Sequence, residues 1–167
     1  EDAIKDSMER VIVETGATVL IIDNISWLNA ANEKASDAGP LMKRLKAMKE
    51  KYNLSLLIVG HTPKRDESRA LSLNDLAGSR VLLNFLDASF AIGKSVTDPG
   101  IRYIKQIKVR FGEIQFDSSN VMVCEISKPN NLVRFEFANY GSEHEHLRSR
   151  TDDDQSEIEN QVLAMRA

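Results

Sequence analysis

Apolar residues recur at helical spacing from the start of the chain, at Ile4, Met8, Val11 and Ile12, and Gly16 closes the run, so the pattern predicts an amphipathic helix. The period then changes. Thr18-Val19-Leu20-Ile21-Ile22-Asp23 is a short, continuous, β-branched run ending in a carboxylate. Such a run predicts a strand buried on both faces of a parallel sheet. Residues 24–39, with Trp27 among them, read as a loop, and Leu41, Leu45 and Met48 then form a helical stripe. Lys43, Arg44, Lys46, Lys49 and Lys51 cover the rest of that helix. Leu54 to Val59 predicts a second buried strand, ending at Gly60-His61-Thr62. Pro63 to Ser72 is polar and has no period, Leu73 to Phe85 reads as a short helix, and Asp87 to Ile92 as a third strand. The order αβαβαβ implies a parallel sheet with right-handed crossovers.

After Gly100 the pattern changes again. Ile101, Tyr103, Ile107, Val109 and Phe111 alternate with Arg102, Gln106, Lys108 and Arg110, as in a half-exposed strand. Val121 to Ile126 is another strand, Lys128-Pro129-Asn130-Asn131 a turn, and Val133, Phe135 and Phe137 alternate with Arg134 and Glu136. These later strands are expected to be antiparallel and added to the C-terminal edge of the parallel core. The fold class is α/β.

Charge alters this picture at one end. The chain of 167 residues carries 22 basic and 25 acidic side chains, a net charge of −3, so nucleic-acid binding requires a local basic patch. Residues 142–161 hold seven acids against Arg148 and Arg150, a local charge of −5. Residues 141–156 have neither helical nor strand period and read as a linker or mobile tail. Ile158, Val162 and Met165 then have roughly helical spacing and could begin a further helical module. The expected organisation is therefore a domain over 1–141 and an acidic tail over 142–167. No window is apolar enough for a membrane span, and no secretion signal opens the chain. The single cysteine, Cys124, cannot pair internally and fits a reducing, cytoplasmic setting.

Three pieces carry candidate chemistry. Asp23 stands at the carboxyl end of a parallel strand, where α/β sheets bind ligands, and such an acid can hold Mg²⁺ through water; it could equally cap the next loop. Gly60-His61-Thr62 occupies the equivalent place one crossover along, where a polar side chain can reach a γ-phosphate or simply satisfy local backbone. Alternation puts Lys108 and Arg110 on the same side of one strand, about 7 Å apart by strand rise, where they suit a phosphate clamp or a solvated edge. Ala88-Ser89-Phe90-Ala91-Ile92-Gly93-Lys94-Ser95 loosely fits a phosphate-loop pattern. Its centre reads as strand, and Asp98-Pro99-Gly100 breaks rather than starts a helix, so it is set aside. No zinc spacing occurs, and His144 and His146 lie in the acidic segment, where they could bind metal only weakly.

In order and spacing these pieces resemble the C-terminal half of the RecA-like P-loop ATPase core, in its hexameric replicative-helicase branch and the related plasmid and phage AAA-type ATPases. Val19 to Asp23 looks like the Walker B strand, and Gly60-His61-Thr62-Pro63-Lys64 like the His-Thr sensor. Gly78-Ser79-Arg80 with Leu86-Asp87-Ala88-Ser89-Phe90 is similar to the Gly-Ser helix and the strand after it. Lys105 to Gly112 is similar to the Lys-x-Arg strand. The likeness covers roughly residues 1–138. It implies a three-layer RecA-like parallel core flanked by helices, and ATP with Mg²⁺ as cofactors of the parent protein. It also implies a homo-oligomeric ring or filament.

The roles implied by the resemblance are separable. Asp23 holds Mg²⁺ through water and, with Asn24 and His61, lines the nucleotide. His61 and Thr62 sense the γ-phosphate. Residues 63–74 form a mobile, DNA-facing loop with Lys64, Arg65 and Arg69 on phosphates. Lys108 and Arg110 act in trans as an arginine finger and its partner. The family's Walker A loop and catalytic glutamate are not in this sequence, which is then expected to be a fragment that binds no nucleotide by itself. The competing class is a non-catalytic α/β scaffold or partner-binding module that has lost nucleotide binding.

Overall fold

The structure is a computed structural model that describes residues 2–23, 38–62, 64–75 and 84–149. Asn24, Trp27, Pro63, Gly78-Ser79-Arg80 and the helical pattern at 158–165 lie outside the described residues. The chain divides into two compact units, residues 1–65 with 72–87, and residues 66–71 with 88–167.

In the first unit, helix α1 (Asp2–Thr15) and helix α2 (Ala38–Tyr52) pack on a pair of parallel strands, β1 (Val19–Asp23) and β2 (Ser55–Val59). Both helices end as their sequences dictate. Gly16 takes a left-handed conformation (φ 65°), and its N–H donates to the Ile12 carbonyl at 2.9 Å. That is an αL cap, which satisfies one of the orphaned terminal carbonyls. Asn53 does the same after α2 (φ 51°), and the Leu54 N–H donates back to the Lys49 carbonyl at 2.9 Å. Leu54 thereby packs against Met48 and Ile12, the apolar contact that accompanies this cap.

Met42, Leu45 and Met48 are the buried line of α2, so Met42 rather than the expected Leu41 leads the stripe, Leu41 being half-buried beside it. They meet Leu20, Ile22, Leu56 and Ile58 from the strands. Here the sequence expectation is corrected. β1 and β2 are buried on one face only, and Val19, Ile21 and Leu57 point outward, Ile21 being 61% exposed. Side chains alternate along a strand, and the contacts of α1 and α2 fall on the even-numbered residues of both strands.

The second unit is an antiparallel sheet in the order β3-β4-β5-β6, formed by Ala88–Lys94, Ile101–Val109, Val121–Ser127 and Arg134–Gly141. The run at 87–92 is expected as a third strand of the parallel sheet, with antiparallel strands added after it. Among the described residues β3 has no ladder with β1 or β2; it pairs antiparallel with β4, from Ala88 opposite Val109 to Lys94 opposite Arg102. The connection between these strands is a short turn, in which Asp98 accepts from the Gly100 N–H at 2.7 Å. A turn of that length reverses the chain, whereas a parallel pairing needs a crossover of a dozen residues or more. Of the helix expected over 73–85, the described part contains a 3₁₀ turn at Leu73–Asp75 and α-helical residues at 84 and 85.

The inner face of this sheet holds Tyr103, Val121 and Val123, with Leu71 packed upon them. Gly93 stands opposite Tyr103, and a Cβ there would lie 2.0 Å from the phenol ring, so only glycine admits the tyrosine. The outer face is also apolar: Ile92, Ile104, Met122 and Tyr140 are paired in a row across the four strands. Phe137, opposite Cys124, is 56% exposed there. Cys124 itself is buried, and burial pushes its thiol pKa up.

The segment read as a linker from residue 141 is packed as far as it is described. Glu143–His146 forms a 3₁₀ turn capped by the Ser142 hydroxyl, and Glu143, His146 and Leu147 are buried. Composition suggests otherwise because the acids read as solvated charge, whereas Glu143 has a buried cation for a partner.

Candidate functional site

β1 and β2 run side by side in register, with Val19 opposite Ser55 and Asp23 opposite Val59. Two parallel strands in register end at the same level, so Asp23 and Gly60-His61-Thr62 leave the sheet together at its carboxyl end. Asp23, His61 and Thr62 are all exposed. In open α/β sheets this end is the one that meets ligand, because the loops there splay apart and leave a crevice. A carboxylate at the end of one strand, with an imidazole and a hydroxyl just past the end of its neighbour, supplies an anionic oxygen pair for a hydrated cation and two hydrogen-bonding groups for an anion. Among the described residues no group of three or more His, Cys, Asp or Glu is placed to hold a metal ion directly.

The basic residues after Thr62 differ from one another. Lys64 and Arg69 are exposed, while Arg65 is half-buried with its Nε 3.4 Å from Asp75 Oδ1. Pro63 to Ser72, read as polar and without period, is anchored in its described part. Leu71 is part of the core of the second unit, Asp66 turns the chain by accepting from the Ser68 N–H at 2.9 Å, and Glu67 pairs with Arg148 at 3.0 Å.

Lys108 and Arg110 belong to the second unit. Lys108 is a strand residue opposite Ser89. β4 ends at Val109, so Arg110 lies one residue past the ladder, and strand alternation does not set its direction. The register also slips between Ser89 and Phe90, which face Lys108 and Gln106 and leave Ile107 as the extra residue of a bulge. Bulges bend the strand and re-aim the side chains beyond them. Ala88–Lys94 is strand throughout and is followed by a turn, not by the helix that a phosphate loop requires. His144 is exposed and His146 buried, with Nδ1 of His146 3.1 Å from Ser95 Oγ and its ring stacked on Tyr103. That arrangement makes His146 a packing residue.

The sequence pattern did not single out Lys105 and Glu143. Lys105 Nζ donates to the Leu71 carbonyl at 2.6 Å, to Ser118 Oγ at 2.7 Å and to Glu143 Oε2 at 2.7 Å. Glu143 Oε1 accepts from the Leu71 N–H at 2.6 Å, and the Glu143 N–H donates to the Ser118 carbonyl at 2.9 Å. Glu143 is fully buried and Lys105 is 7% exposed. One signal was available: Lys105 occupies the apolar phase of β4, between Tyr103 and Ile107.

The sequence model of a family described as AAA domain matches residues 2–67. That stretch carries α1, β1, α2, β2 and the Gly60-His61-Thr62 strand end, and it stops short of Lys108 and Arg110. Over that stretch, less than half of the chain, the sequence is similar to part of an AAA domain. No curated protein matches the chain. No helix among the described residues is long and apolar enough to cross a membrane.

Proposed function

We propose that this chain supplies the Walker B, sensor and finger elements of a RecA-like, ATP-dependent motor that acts on DNA. The observation that carries the reading is the in-register parallel pairing of β1 with β2. It brings Asp23 and Gly60-His61-Thr62 to one sheet end inside the stretch that matches the AAA domain. In this reading β1 and β2 belong to a three-layer parallel core. The phosphate-cradling loop comes from outside the 167 residues, so the chain alone binds MgATP poorly.

Asp23, with Asn24 beside it, holds Mg²⁺ through water, which offsets phosphate charge at the sheet end. His61 and Thr62 offer hydrogen bonds that distinguish a γ-phosphate from its absence. Lys64, Arg65 and Arg69 contact DNA phosphates, an interaction weakened by salt because bound counterions are released. Lys108 and Arg110 serve the neighbouring subunit's nucleotide, which requires a homo-oligomeric ring or filament. Arg110 stabilises charge that develops in the transition state and contributes little to ground-state binding.

The test is ATP turnover by the complete motor with Arg110→Ala. Turnover falls by roughly 10³ or more while nucleotide affinity changes little, as for other arginine fingers. Mixing mutant with wild-type subunits lowers activity below simple dilution, since each mutant disables its neighbour's site. An Arg110→Ala assembly with turnover within about twofold of wild type would end the finger assignment and favour the scaffold class, since remote surface changes have small effects.

A further inference from the structure

Four segments distant in sequence meet at one buried charge pair. The Leu71 N–H and C=O both end on it, the first on Glu143 Oε1 and the second on Lys105 Nζ. Ser118 closes the ring from the β4–β5 loop. All three N–H bonds of the Lys105 ammonium are used and both Glu143 oxygens are occupied, so the cluster is complete as it stands.

Its place in the chain matters more than its strength. Leu71 is two residues past Arg69, the last cation of the basic loop. Lys105 is three residues before Lys108 on the same strand, and the bulge at Ile107 lies between them. Residues 66–71 belong to the second unit, where Leu71 packs on the sheet and Glu67 pairs with Arg148, so Leu71 is one of the points at which the Arg69 segment is held. A fully satisfied buried pair fixes geometry strictly, because moving either member leaves an unpaired charge in a dry site. Leu71 therefore cannot shift without disturbing Lys105 or Glu143. β4 between Lys105 and Arg110 already carries an irregular ladder that can absorb a change in pitch.

We propose that the Lys105–Glu143 pair is a positioning clamp that couples occupancy of the Arg69 loop by nucleic acid to the placement of Lys108 and Arg110. The clamp acts through other residues and touches neither DNA nor nucleotide. Its ligand is the phosphate backbone of nucleic acid, gripped by the loop, and its output is the setting of β4 beyond the bulge. The coupling rests on the proposed function, since that reading assigns the loop to DNA.

The experiment uses hydrogen exchange on the 167-residue chain with and without a single-stranded oligothymidylate, and a parallel binding titration. In the wild type the oligonucleotide slows exchange at 64–71 and also at 107–112, the latter by roughly fivefold or more, the lower range of allosteric coupling. Glu143→Gln keeps the side-chain shape and removes the charge. The double variant Lys105→Met with Glu143→Leu removes both charges and fills the site with apolar volume, which keeps the fold where a single change does not. In these variants the loop still binds the oligonucleotide, within about twofold of wild-type affinity, because the phosphate-contacting cations remain. The protection at 107–112 is lost. A purely structural pair would leave the spread of protection unchanged in the double variant, and that result overturns the clamp. Protection confined to 64–71 in the wild type overturns it as well. No binding of the oligonucleotide by the wild type, at low salt, refutes the DNA assignment itself and removes the clamp's input with it.

Discussion

Glu143 and Lys105 are buried because each uses up the other's hydrogen-bonding capacity, with Leu71 and Ser118 supplying the remainder. Such a pair adds little net stability, since desolvation consumes most of the Coulomb attraction, but it is costly to break. Glu143→Ala is expected to destabilise the chain by about 3–5 kcal/mol, because it strands a buried ammonium and the Leu71 N–H. Lys105→Met combined with Glu143→Leu should lie within about 1 kcal/mol of wild type or above it, as uncharged replacements of buried pairs often do. Urea unfolding of the three proteins separates these outcomes. Equal losses in the single and the double variant would show that the charges are not what the site holds.

At the scale of elements, the ends of helices and hairpins carry the local information. Asn53 adopts φ 51° after α2, where a Cβ strains the backbone and a short polar side chain is tolerated better than most. Asn53→Ala should cost about 1 kcal/mol, while Asn53→Gly should be neutral or slightly stabilising. Thermal melts decide this, and an alanine variant as stable as wild type would remove the cap from the account.

The β5–β6 hairpin adds a pH dependence. Glu136 accepts from the Ser127 hydroxyl and from Arg134 Nη2, the latter at 2.7 Å, and these hydrogen bonds hold its carboxyl pKa below the usual value. Asp117 is lowered likewise, by hydrogen bonds from the Ser119 hydroxyl and N–H. A carboxylate with a depressed folded pKa contributes stability above its unfolded pKa and loses it as pH falls through the folded one. Stability should therefore decline below the ordinary carboxylate range. Glu136→Gln and Asp117→Asn should each flatten that decline in unfolding free energies measured from neutral to acid pH. Unaltered slopes in both variants would assign the acid sensitivity to other groups.

Among the described residues each unit has its own buried apolar side chains, Ile22, Met42 and Leu45 with Ile12, Met48 and Leu54 in the first and Leu71, Tyr103, Val121 and Val123 in the second. Leu45→Ala should cost about 2–5 kcal/mol, the usual range for a buried leucine. Its effect on hydrogen exchange should appear in β1 and β2 and be small in β3–β6. Uniform acceleration over both units would mean that they unfold as one.

Most elements were legible in the sequence because their signals are local. Hydrophobic period sets helix against strand, and Gly16 and Asn53 mark stops whatever the rest of the chain does. The place of Asp23 and of Gly60-His61-Thr62 at strand ends was legible for the same reason, since a strand's end is visible where its apolar run ends. What the period could not carry was pairing. The run at 87–92 reads the same whichever sheet it joins, and among the described residues its ladder is with β4 and not with β1 or β2. Nor could it tell which face of β1 the helices cover. Lys105 and Glu143 show the limit most plainly. A lone lysine and a lone glutamate, 38 positions apart, each read as solvated charge. Only folding brings them to 2.7 Å and gives each the partner that makes burial affordable.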